Sequence, residues 1–147
     1  MNREILFRGK RIDNGEWVFG DLIRNLIYDG REKEMRIGDI YFEHNGDIHG
    51  TAVYKVIPET VGQYTGIVDK NGKKIFEGDI LRYTWDTLSG EKKPYTYVIS
   101  YNNKEARVMG ESDSDDIQCL LPTFKYVGKR GEVVGNIYGN PELLEEL

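Results

Sequence analysis

One hairpin-like unit is written twice in this chain, and that repetition limits the fold more than any other feature. "FRGKRIDNGEWVFGDLI" (7–23) and "YTGIVDKNGKKIFEGDIL" (64–81) share an aromatic-x-Gly start, an Asn-Gly pair, an apolar-Phe pair and a Gly-Asp-aliphatic ending. The second copy carries one extra residue, Glu77. Two copies are too few for a solenoid, so the reading is a recurring hairpin used once in each half. Asn14-Gly15 and Asn71-Gly72 suit a type I′ turn, in which both central residues need positive φ. Trp17, Val18 and Phe19 on one return arm, and Ile75 and Phe76 on the other, are the β-branched and aromatic types that favour strands. A third hairpin is expected over "RIGDIYFEHNGDIHGTAVYKV" (36–56), turning on Asn45-Gly46. Together these make the first half a β-meander.

A short triplet punctuates the rest: Gly20-Asp21-Leu22, Gly38-Asp39-Ile40, Gly46-Asp47-Ile48, Gly78-Asp79-Ile80 and Gly135-Asn136-Ile137. Glycine permits a bend, the short polar side chain bonds a nearby backbone N–H, and the aliphatic enters the core. Turn chemistry accounts for these acids. The competing reading makes Asp21 and Asp79 the paired carboxylates of a hydrolase, and it requires them to converge on a pocket.

Beyond Asp79 the pattern is strand upon strand: "DILRYTW" (79–85), "PYTYVISY" (94–101), "EARVMGE" (105–111), "IQCLL" (117–121) and "GEVVGNIY" (131–138). Short strands at such spacing read as a small barrel. Asn140-Pro141-Glu142 supplies a cap, a first-turn proline and an acid for a short C-terminal helix over "PELLEEL". The segment "VIPETVGQ" (56–63) is the best boundary, giving subdomains 1–62 and 63–147. The class expected is mainly β: an N-terminal meander packed on a C-terminal small barrel that ends in a short helix.

Composition narrows the chemistry. At 147 residues with 39% hydrophobic content and ten tyrosines, the chain is of globular type. A net charge of −5 disfavours general attraction to nucleic acid, which needs a clustered basic face. That alternative would rest on Arg82, Lys92, Lys93, Arg107, Lys125, Lys129 and Arg130 gathering on one side. The single cysteine, Cys119, precludes an intramolecular disulfide and fits a reducing compartment. No apolar run approaches signal-peptide or membrane-span length, so the expectation is a cytoplasmic protein with no membrane partner.

No cofactor, metal or catalytic set is expected. His44 and His49 flank the third turn without a zinc-type ligand set. "ESDSDD" (111–116) fails the EF-hand frame, because counting from Asp113 places Gln118 and Phe124 where Gly and Glu belong. Cys119 lies in an apolar run, Ser89-Gly90 lies outside any Gly-x-Ser-x-Gly, and "GKRGEVVG" (128–135) lacks phosphate-loop spacing. Aromatics remain. Tyr83, Trp85, Tyr95, Tyr97 and Tyr101 crowd two expected strands, and residues two apart share a face. These five are the candidate binding residues; an aromatic row beside charged loops can hold a peptide or stack bases.

The segments "FRGKRIDNGEWVFGDL", "PETVGQYTGIVDKNGKKIFEGDIL" and "VVGNIYGNPELL" resemble the YopX family of bacteriophage and prophage proteins, over essentially the whole chain. The resemblance implies a largely β protein with an SH3-like barrel, made in the cytoplasm of a bacterial host. It carries no catalytic residue across. The function expected is therefore non-catalytic binding or adaptation, with a host or phage protein as partner.

Overall fold

The computed structural model describes residues 2–26, 34–38, 40–42, 48–50, 52–86, 88–104, 106–111 and 123–145. They divide into two compact units, Met1–Tyr64 and Thr65–Leu147.

In the first unit, β1 (Phe7–Lys10), β2 (Trp17–Leu26) and β3 (Glu34–Gly38) are consecutive antiparallel neighbours, the meander that the alternation predicts. The expected hairpin over 36–56 is nested. β4 (Ile40–Phe42) pairs with β5 (Ile48–Gly50), while β6 (Tyr54–Lys55) returns beside β3. The turn at Asn45-Gly46 lies outside the described residues. Ile37 and Val56 are fully buried on one side of this sheet. Gly9 lies against them: a Cβ there would stand 3.1 Å from both side chains. A 3₁₀ turn, Pro58–Thr60, closes on β1 through the Thr60 hydroxyl, which accepts the Lys10 N–H at 2.9 Å. Strand β7 (Gly62–Val68) starts beside β1 at Gly62 and Gln63 and runs into the second unit.

There, β8 (Lys74–Phe76) completes the second hairpin. β9 (Asp79–Asp86), β10 (Lys92–Asn102), β11 (Arg107–Glu111) and β12 (Glu132–Asn136) form an antiparallel sheet in the order β11-β10-β9-β12. The all-β class is as expected, but the barrel does not close: β11 and β12 stand at opposite edges of an open sheet. Ile75, Leu81, Tyr97, Ile99 and Val133 build its core together with Val127.

Val127 belongs to α1 (Thr123–Arg130), an eight-residue helix that the strand pattern does not anticipate. Thr, Phe, Tyr, Val and Gly are weak helix formers, and a segment this short is marginal alone. Packing of Tyr126 and Val127 on the sheet overrides that preference. The C-terminus, by contrast, is less helical than expected. A 3₁₀ turn, Pro141–Leu144, replaces the helix, and Asn140 makes no side-chain cap bond. Its Oδ1 instead accepts the Asn136 N–H at 3.4 Å. The strand expected over 117–121 lies outside the described residues.

The two described Asn-Gly turns also correct the expectation. Among the described non-glycine residues only Ala106 has positive φ, so neither Asn14 nor Asn71 sits in a type I′ turn. The first hairpin closes a four-residue loop through the Arg11 N–H to the Glu16 carbonyl, 2.9 Å. The second is a turn from Asp69 to Gly72, with the Gly72 N–H donating to the Asp69 carbonyl at 3.0 Å and Gly72 at φ +80°. A tight turn followed by a left-handed glycine is the three-residue hairpin solution.

Candidate functional site

The carboxylates with the best claim to chemistry are held by the backbone. Asp79, 1% exposed, accepts the Phe76 N–H through Oδ2 at 2.8 Å, while Asp21 is exposed on β2. Asp69 is also buried. Its Oδ1 accepts the N–H groups of Asn71 and Lys73 at 2.8 and 2.9 Å, and its Oδ2 accepts that of Val133, on β12, at 3.0 Å. Burial disfavours its ionised form, but the N–H groups of Val133, Lys73 and Asn71 outweigh this and lower its pKa. These are turn and clasp functions; Asp79 plays the part that its Gly-Asp triplet suggests, while Asp69 belongs to no such triplet. Gly78, at φ +84°, opens β9 with its Asp79, and the β12 register shifts at Gly135. The triplet acids Asp39 and Asp47 lie outside the described residues, as do Cys119, His44 and residues 112–116. His49 pairs with Tyr41 in the β4–β5 ladder. Among the described residues no cluster of His, Cys, Asp and Glu could hold a metal ion.

The aromatic residues do converge. Opposed residues of an antiparallel pair share a face, so the register Tyr83↔Tyr95, Trp85↔Lys93 and Leu81↔Tyr97 places all six on one face of the sheet. This is the face that carries the core and meets α1. Burial is graded along it. Tyr97 has no exposure, whereas Tyr83, Trp85 and Tyr95 are half-buried. Gly110, opposite Ile99, makes room for the Tyr97 ring: a Cβ there would stand 3.2 Å from the Tyr97 Cβ. The Trp85 indole N–H donates to the Tyr97 hydroxyl at 2.8 Å, satisfying a buried polar atom. Tyr101, 47% exposed at the far end of β10, stands apart from this group.

Helix α1 completes the cluster with Tyr126, which residue-by-residue reading overlooks. Its ring stacks on Trp85 (5.9 Å, 16°) and meets Tyr83 edge-on at 6.2 Å, while Tyr83 meets Trp85 edge-on at 4.8 Å. Such pairs stabilise by about 1 kcal/mol each beyond their buried area. Burial, together with a hydrogen bond to Tyr126, raises the Tyr83 pKa, and burial raises that of Tyr97. These phenols therefore stay neutral at physiological pH. Two cations border the rings: Arg130 Cζ lies 3.8 Å from the Tyr126 ring centre and Lys93 Nζ 5.3 Å from that of Tyr95. The signal for the helix was present in Lys129 and Arg130 followed by Gly131, a C-terminal pattern. Gly131 donates its N–H to the Val127 carbonyl at 2.7 Å.

The seven cations of the nucleic-acid reading are divided. By strand alternation Arg82, Lys92 and Arg107 point to the face opposite Tyr83, Lys93 and Val108. No helix among the described residues is long and apolar enough to cross a membrane.

Comparison with known proteins agrees with this architecture. The chain is similar in structure to the crystal structure of protein EF1440 from Enterococcus faecalis, with a TM-score of 0.62 and 25% sequence identity over 97% of this chain and 99% of that one. No curated protein matches it. The family model described as YopX protein matches residues 6–145. A match over nearly the whole length shows that this chain belongs to the YopX protein family.

Proposed function

We propose that the protein is a non-catalytic binding or adaptor protein of phage or prophage type, and that it engages a host or phage protein through the aromatic face of its second unit. The graded burial of that face carries the reading. Tyr97 anchors the group in the core, and Tyr83, Trp85, Tyr95 and Tyr126 emerge half-buried beside it. Their ring contacts and the Trp85–Tyr97 hydrogen bond hold them in place. Aromatic side chains already ordered lose little entropy on binding and are the types that dominate interface energetics. Binding rather than catalysis is supported by the carboxylates, since Asp69 and Asp79 are occupied by backbone N–H groups.

The test is affinity capture with the tagged full chain from induced host cells, comparing wild type with Tyr95→Ala, Tyr83→Ala and the distant Tyr101→Ala. The expected result is a partner retained by Tyr101→Ala and lost with the other two, all variants folding as judged by circular dichroism. Capture indifferent to Tyr83 and Tyr95 would reject this face.

A further inference from the structure

The cations bordering the aromatic face differ from the cations held in ion pairs elsewhere among the described residues. Arg36 and Lys55 are neutralised by Glu34 at 2.6 and 2.9 Å, Lys70 by Glu132 at 2.9 Å, and Arg11 by Asp13. Lys93 and Arg130 have rings as neighbours instead, and among the described residues no carboxylate pairs with them or with Lys125 and Lys129. The described α1 holds three cations and no acid, in a chain whose 25 acids outnumber its 20 Lys and Arg.

Given the binding reading above, on which this rests, we infer that the occupant of the aromatic face is an acidic peptide segment, its carboxylates received by Lys93 and Arg130. A guanidinium stacked on a ring retains edge N–H groups for a carboxylate, and is held ready for it at little entropic cost. Lys93 lies directly opposite Trp85, Trp85 stacks on Tyr126, and Tyr126 carries Arg130. The two cations therefore border one continuous group of rings. A single-stranded nucleic acid fits less well. It needs ring faces open to bases and a continuous basic path. Here Trp85 and Arg130 both lie over the Tyr126 ring, Tyr83 meets its neighbours edge-on, and Arg82, Lys92 and Arg107 belong to the opposite face. Asp86, next to Trp85, is the acid whose charge reaches Tyr83. By alternation it too points to the opposite face.

Fluorescence polarisation with the full chain tests this. The probes are a labelled peptide of Glu-Gly-Phe-Asp repeats, the same peptide with Gln and Asn in place of the acids, and an oligo-dT strand. The acidic peptide is expected to bind about tenfold tighter than its amide counterpart. The double variant Lys93→Glu/Arg130→Glu should lower that affinity by about tenfold, while Lys104→Glu changes it by less than about twofold. Equal binding of the two peptides, both lost in Tyr95→Ala, would overturn the acidic specificity and leave the binding face standing. Preference for oligo-dT that disappears on charge reversal would overturn it in favour of a nucleic-acid surface. Absence of peptide binding alongside capture that depends on Tyr95 would also overturn it. Should capture be indifferent to Tyr95 as well, the binding face itself falls.

Discussion

The two copies of the repeated unit, 7–23 and 64–81, begin from nearly the same residues and reach different structures. In the first, β2 runs unbroken from Trp17 to Leu26 through Gly20-Asp21, and Asp21 is exposed. In the second, the extra Glu77 and Gly78 separate β8 from β9, and Asp79 turns back to accept the Phe76 N–H. The Gly78 N–H then donates to the Ile99 carbonyl at 2.7 Å, and its own carbonyl accepts from Ile137 at 2.9 Å, so the break is fastened on both sides. The turns differ in the same way. Asp13 is bonded by the Arg11 side chain at 2.8 Å in solvent, and that bond lowers its pKa. Asp69 is bonded by backbone N–H groups in the interior, one of them from β12. A shared pattern thus specifies a hairpin, while one inserted residue and the position of one carboxylate decide whether it stays local or clasps a distant strand.

The contrast can be broken most severely at Glu77. Deleting it would give the second copy the length of the first, but would draw Ile75 and Phe76 one residue out of register with β7, the strand beside β8. Both are buried, and a one-residue shift turns each to the opposite face. With about 2–5 kcal/mol lost per displaced core residue, the second unit should fail to fold, as read by far-ultraviolet circular dichroism. An equal melting curve would show that the insertion is incidental.

Next in size is Asp69→Ala, which strands the three N–H groups and should cost about 3 kcal/mol in urea unfolding. The pH dependence sharpens the point. Folding lowers the Asp69 pKa, so its contribution is present above the ordinary value of 3.8 and is lost as pH falls through the lower folded value. Asp69→Asn should lack that part of the acid transition; an unchanged acid profile would count against the clasp.

A smaller effect tests what the copies share. Gly15 and Gly72 have φ of +72° and +80° with open space around them, so alanine at either meets only backbone strain. Each substitution should cost about 1 kcal/mol, and unequal costs would show that the turns are not comparable. The smallest change is expected from Asp13→Ala, which removes a solvent-exposed ion pair and should leave the denaturation midpoint unmoved.

Much of the architecture was legible in the residues, because alternation and glycine placement are local signals. The spans of β9, β10 and β12, the meander and the structural use of Asp79 all follow from them. Turn type was not legible: Asn-Gly is compatible with several hairpin loops, and loop length rather than the dipeptide selects among them. Helix α1 was hidden because its residues are poor helix formers and its stability comes from the sheet beneath Tyr126 and Val127. The grouping of the aromatic residues was half visible. Period-two spacing placed Tyr83 with Trp85 and Tyr95 with Tyr97, but neither the burial of Tyr97 nor the addition of Tyr126 is a property of spacing.

What the sequence determined by itself was the kind of piece: strands, the glycines between them, and which side chains share a face, since each depends on neighbours along the chain. What only tertiary structure decided was which edges stay open, which ring is core and which is surface, and that Asp69 reaches Val133 across 64 positions of chain. Those outcomes depend on groups distant in sequence competing for the same buried volume and the same hydrogen-bond donors, and no local pattern encodes the winner.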